Sequence, residues 1–277
     1  MNCLRMDLRR SIFCKKFVLI VMATLLVLFA STWNEFQSYT WWGDSTGMQG
    51  CVNILYNSLA YDKFKVVIVF LFGGIYTGSY CSDENSRYLR SILNRTTLLS
   101  YTISRFLVNF IAIMLGMIIV IGLYLIVSVC AGLPLMSLGM KDLYYGSFSW
   151  NHPMIYSIMM ALQFGVITAA CSGTGLLLSV YQPNLFVAVG MCGLTFYAAA
   201  SYILGIAVER FGTKSILMAG ILVVLIMLMT VLSMPVLSSS PHTLMFLWGM
   251  LYPLTIYAFC AFFFARRLEW RKKHGLI

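Results

Sequence analysis

A chain of 277 residues in which 60% are hydrophobic and 10% charged stands far from the roughly 45–50% apolar and roughly 25% charged make-up of soluble domains. That excludes a soluble globular protein and predicts an all-α polytopic integral membrane protein, folded as a single transmembrane domain over 1–277. The net charge of +10 does not point to nucleic acid, because the basic residues flank apolar runs, where anchoring at the cytoplasmic face of a membrane accounts for them.

Residues 1–16 carry Arg5, Arg9, Arg10, Lys15 and Lys16, while Leu4, Leu8 and Ile12 recur every fourth residue. This predicts a basic amphipathic helix lying in the cytoplasmic interface, apolar face down and cations at the lipid headgroups. The run from Phe17 to Trp33 reads as a first span or as a cleaved secretory signal ending near Ala30. The long basic region and the many later spans favour the span. Residues 34–63 hold Glu35, Asp44, Asp62 and the Trp41-Trp42 pair, with no Lys or Arg before Lys63. They read as an outside loop with aromatic anchors, on which Cys51 is expected to be reachable. A second span is predicted from Phe64 to Cys81, where Gly74 and Gly78 have the GxxxG spacing of close helix contacts.

The stretch 82–105 contains Arg87, Arg90, Arg95 and Arg105 and is placed in the cytoplasm. Spans follow at 106–131, 154–180 and 185–208, separated by an aromatic outside loop at 132–153 and a YQPN turn at 181–184. The 154–180 span carries Gln163 and the small residues Ala169 to Gly175. These could line a pathway, and close packing explains them equally well. Two more apolar runs, 215–237 and 243–265, would make seven spans and put the basic tail 266–277 outside, against the positive-inside rule. An even count, about six spans with both termini cytoplasmic, returns if 209–240 is a re-entrant segment before the last span.

None of the nine acidic residues falls in the middle of a span. A carboxylate there costs about 2.5–3.5 kcal/mol and usually marks ion or proton movement, so an ion-coupled carrier is disfavoured. The chain has no P-loop of its own: Gly212-Thr213-Lys214-Ser215 lacks the upstream glycine spacing. It has no HExxH motif, its three histidines (152, 242, 274) lie outside the spans, and Ser172 has no base nearby in sequence, so no enzyme is expected. Eight scattered cysteines without a CxxC predict neither a disulfide framework nor a metal site.

The strongest functional signal lies in 82–105. Ser82-Asp83-Glu84 is expected to cap a helix on which Tyr88, Leu89, Ile92 and Leu93 form an apolar face and Arg87, Arg90 and Ser91 turn away. Such a helix can enter a partner's groove or simply lie on lipid. The segments Cys81-Ser82-Asp83-Glu84-Asn85-Ser86, Leu89-Arg90-Ser91-Ile92-Leu93, Asn94-Arg95-Thr96 and Ile103-Ser104-Arg105-Phe106-Leu107, with the amphipathic N-terminal helix, the hinge at 181–185 and a final Arg266-Arg267 pair, resemble the ABC-2 type transporter permeases. Two positions depart from that pattern: the glycine usual after the acid is absent around Ser86 and Arg87, and Arg105 stands where Lys is common.

The resemblance implies that 82–105 is a coupling region docking on a separate ATP-binding cassette subunit, through Asp83, Glu84, Arg87, Tyr88, Leu89, Arg90, Ile92, Leu93 and Arg95. It also implies a dimer with a second copy or a related permease in a bacterial cytoplasmic membrane, with ATP and Mg held by the partner and no cofactor bound directly. A pathway is expected near Asn109, Gln163, Ser172 and Thr174, suited to a peptide, lipid or drug-like substrate, with membrane lipids as the other partners. A non-transporting sensor or immunity protein, with Trp41, Trp42, Tyr144, Tyr145 and Trp150 binding a ligand, is the rival reading.

Overall fold

The computed structural model describes residues 3–42, 50–61, 64–86, 88–135, 153–198 and 243–275. They form ten helices and no strand: α1 (Cys3–Ile12), α2 (Lys15–Trp42), α3 (Cys51–Tyr61), α4 (Lys65–Gly73), α5 (Ser79–Asn85), α6 (Tyr88–Arg95), α7 (Leu98–Cys130), α8 (Pro153–Tyr181), α9 (Leu185–Tyr197) and α10 (Thr243–Lys273). Four stretches are long and apolar enough to cross a membrane: Lys15–Asn34 in α2, all of α7 and α8, and Gly249–Lys273 in α10. The re-entrant segment expected at 209–240, the Gly212–Ser215 stretch, most of the 132–153 loop, and His152 and His242 lie outside the described residues.

The most enclosed helix is α8, which packs against α7, α9, α10 and α4. Its small residues permit this. A Cβ on Gly175 would run into the Ala188 carbonyl oxygen of α9, and one on Gly173 would lie 2.7 Å from the Tyr257 ring of α10. Close packing thus accounts for the small-residue run around 169–175.

The expected loop 34–63 is largely helical. α2 continues to Trp42, and α3 then buries Val52, Leu55, Tyr56 and Leu59 against the bundle. Cys51, Asn53, Ile54 and Ser58 are buried too, so the helix is enclosed on nearly every face, as a helix inside a bundle is. Cys51 is correspondingly buried: its N–H donates to Pro134 O at 2.9 Å and its thiol contacts Leu133 O at 3.6 Å, so it is not the accessible outside thiol that the loop reading implied.

The expected second span is not one regular helix. Between α4 and α5 the backbone tightens, with Gly74 N donating to Leu71 O at 3.0 Å, Ile75 N to Phe72 O at 3.1 Å and Ser79 N to Tyr76 O at 2.9 Å. These i→i−3 bonds are those of a 3₁₀ turn, and the Thr77 hydroxyl bonds back to Gly73 O. The turn brings glycines against α9, where a Cβ on Gly73 would lie 2.6 Å from Cys192 Cβ and one on Gly78 would run into Leu185. Gly73 and Gly78 make the tight contacts, while a Cβ on Gly74 would sit at an ordinary 3.8 Å from Val189.

α7 begins at Leu98, ahead of the expected Phe106, because Thr97 caps it: its hydroxyl accepts from Ser100 N at 3.3 Å. Gly132, at φ 91°, ends it. Gly132 N donates to Val129 O at 3.0 Å and Leu133 N to Ser128 O at 3.2 Å, the paired bonds of a Schellman motif, which requires the left-handed conformation at that glycine. Asn184 caps α9, its side chain accepting from Phe186 N at 3.0 Å, so the YQPN turn delivers the chain directly from α8 to α9.

Candidate functional site

The acidic pair Asp83-Glu84 lies in the last turns of α5 and does not cap α6. Successive helix positions point about 100° apart, so the two carboxylates reach different partners. Asp83 forms an ion pair with Arg105 of α7, approaches Arg10 of α1 at 3.4 Å, and receives the Tyr101 hydroxyl at 3.5 Å. Arg105 is 1% exposed. Its guanidinium donates to the Tyr76 hydroxyl at 2.6 Å, sits 3.7 Å from Asp7 of α1, and lies over the Tyr101 and Tyr76 rings at 5.0 and 5.4 Å. Ser104 donates to Asp7 at 2.8 Å. Two buried carboxylates thus face two arginines, one wholly enclosed and one at the rim. A planar guanidinium that hydrogen-bonds in its plane and stacks on rings through its faces suits the Arg105 position better than an ammonium would.

Glu84 takes Arg271 of α10 in a fork, with Nη1–Oε2 at 2.9 Å and Nη2–Oε1 at 2.5 Å. The same guanidinium donates to the Tyr80 hydroxyl at 2.8 Å and to Val180 O, at the end of α8, at 3.2 Å. Two adjacent acids therefore bind α1, α7 and α10 to α5, and the basic helix at one terminus and the basic tail at the other lie at the same end of the bundle.

α6 hangs from this cluster. Leu89, Ile92 and Leu93 are buried with Tyr80, Tyr101, Phe106, Val180, Phe264 and Leu268. The apolar face expected to be offered to a partner is thus covered by the chain itself, since only these neighbours give it a dry surface. What α6 leaves exposed is Tyr88, Arg90, Ser91 and Arg95; Arg87 lies outside the described residues.

Of the expected pathway residues, Asn109 and Ser172 are in contact inside the bundle, while Thr174 and Gln163 have other neighbours. Asn109 donates to Ser172 and, at 3.2 Å, to the Tyr257 hydroxyl, which donates in turn to Phe106 O at 2.5 Å. Thr174 is half-buried, donating to Cys171 O at 2.7 Å and sharing a 3.3 Å hydroxyl contact with Thr195. Gln163 lies buried further along α8, where Gly249 leaves room for its amide: a Cβ there would come within 2.8 Å of Nε2. These side chains link α7, α8, α9 and α10 in closely packed surroundings. No group of three or more potential metal ligands occurs among the described residues.

Sequence reasoning singled out Asp83, Glu84 and the helix after them, and passed over Asp7, Tyr76, Tyr80, Tyr101 and Arg271. One cue was available: Asp7 is the lone acid in a helix otherwise carrying arginines. In class the chain is a multi-pass helical membrane protein. Comparison with protein-family models, curated proteins and solved structures finds no match.

Proposed function

We propose that the chain is the membrane-spanning permease subunit of an ABC transporter of the ABC-2 type, of about six spans, exporting a peptide, lipid or drug-like substrate with ATP hydrolysed by a separate subunit. The observation that carries this reading is α6: a short helix whose apolar face is locked into the bundle and whose Arg90, Ser91 and Arg95 are left exposed. A helix so held transmits a push. Force applied to its outer face reaches α7 through Tyr101 and Phe106, and α10 through Phe264 and Leu268. The neighbouring ion pairs of Asp83 and Glu84 carry it to α1 and to the tail.

Placing the shared end of α1 and α10 in the cytoplasm satisfies the positive-inside rule for both termini and gives an even number of crossings. In this reading ATP and Mg belong to the partner subunit, and the chain works as a dimer with a second copy or a related permease. The docking face is Tyr88, Arg90 and Arg95, while Leu89, Ile92 and Leu93 anchor the helix.

The test is purification of the tagged chain from its native cells in mild detergent. An ATP-binding cassette protein is expected to copurify, and Arg90→Glu with Arg95→Glu to release it while the chain stays monodisperse. Copurification undiminished by that charge reversal, or no such ATPase in the eluate, contradicts the proposal.

A further inference from the structure

Beside the α6 cluster, on the outer side of the contact between α7 and α10, lies a groove of about 810 Å³ lined by Thr97, Leu98, Leu99, Phe262, Ala265, Arg266, Glu269, Lys272 and Lys273. Its two ends differ in chemistry. From its floor an apolar strip runs along α7 through Leu99, Ile103 and Leu107, which are 66%, 60% and 40% exposed, and along α10 through Phe262 and Phe259, which are 58% and 64% exposed. Leu99, Ile103 and Leu107 recur at every fourth residue and so share one helical face. Both helices are long and apolar enough to span, so this strip faces the lipid tails.

The other end is cationic. Glu269, the groove's acid, is paired with Lys273 at 2.8 Å. Arg266 and Lys272 are exposed and have no ion-pair partner among the described residues. Glu269 also feels the charge of Arg266, so the groove sets three cations, Arg266, Lys272 and Lys273, against one carboxylate where the spans end, a net positive charge above a surface shaped for acyl chains.

We infer that this groove binds an anionic phospholipid, its phosphate held by Arg266 and Lys272 and its chains lying on Leu99, Ile103, Leu107 and Phe262. A zwitterionic lipid offers the same tails, but its own cation opposes the charges of Arg266 and Lys272. Each basic residue near a membrane surface contributes about a fivefold preference for an anionic lipid, so the pair predicts about a thirtyfold preference. The site stands apart from the outward face of α6 and does not depend on a partner ATPase.

Native mass spectrometry of the full chain, incubated with phosphatidylglycerol or with phosphatidylcholine at matched concentration, reads the inference directly. Phosphatidylglycerol adducts are expected to survive in preference, and Arg266→Gln with Lys272→Gln to remove the preference. Competition by inorganic phosphate should be negligible, since free phosphate lacks the chains. Equal retention of the two lipids by the unaltered chain overturns the inference, whatever the folding of the variant. So does a preference that persists in the variant, displacement by phosphate alone, or occupation of the groove by a second copy of the chain, seen as a dimer whose formation excludes the lipid.

Discussion

Arg105, 1% exposed, is enclosed by two carboxylates and by the Tyr76 and Tyr101 side chains. Removing the cation from such a site leaves the buried carboxylates of Asp7 and Asp83 without their enclosed counter-charge, Arg10 remaining at the rim. Breaking a buried pair by deleting one partner typically costs about 3–5 kcal/mol. Arg105→Met is therefore expected to lower the thermal midpoint of the detergent-solubilised protein sharply, and Asp83→Asn, which keeps the shape and leaves Asp7 for the arginine, less so. Equal midpoints for Arg105→Met and the unaltered chain would show that the cluster is not a structural lock. A second residue-scale prediction concerns Gly175, whose added Cβ would meet the Ala188 carbonyl, a backbone atom that cannot swing away. Gly175→Ala should destabilise by about 1–3 kcal/mol, the usual range for overpacking. Gly122→Ala, with nothing within 4 Å of the new carbon, should leave the midpoint unchanged or raise it slightly.

At the scale of elements, α6 divides its two faces between folding and function. Leu89→Glu buries a charge in the cluster of Tyr80, Tyr101 and Phe264 and is expected to abolish a monodisperse size-exclusion peak. Arg90→Glu changes an exposed position and should leave that peak intact. Reversal of these outcomes would mean that the helix lies the other way round. The same division shows what was legible in advance. The periodicity of Leu89, Ile92 and Leu93 revealed an apolar face, but hydrophobic spacing states only that a face is covered, not by what. The long apolar stretches in α2, α7, α8 and α10 were legible because each fills the bilayer by itself. The α4–α5 break and α3 were not, because the break is set by contacts with Cys192 and Leu185 distant in sequence, and α3 is short and flanked by polar residues that resemble a loop. Asp83 and Glu84 stood out in the sequence as the expected cap of the following helix, whereas the structure sets them within α5, where they tie other helices together. Their partners Arg10, Arg105 and Arg271 come from three other helices, a convergence that no local spacing encodes.

For the whole molecule, the ion pairs Arg10–Asp83 and Glu84–Arg271 bring the two basic termini to one end, while Cys51 bonds to Pro134 O at the end where α7 stops. Labelling in intact cells can orient that axis. Cys130, exposed at the last residue of α7, and Cys14, half-buried just after α1, lie at opposite ends. With the termini inside, an impermeant maleimide is expected to modify a variant retaining only Cys130 and to spare one retaining only Cys14 until the cells are opened. The opposite pattern would invert the topology and place α6 where no ATPase could reach it. The most direct measurement of the central claim is a photo-crosslinking amino acid at position 90, on the outer face of α6, activated in cells expressing the chain at its native level. The account predicts a crosslinked product containing an ATP-binding cassette protein, absent when the same group is placed at Cys130. Crosslinks from position 90 only to lipid, or to another copy of the chain, would contradict it.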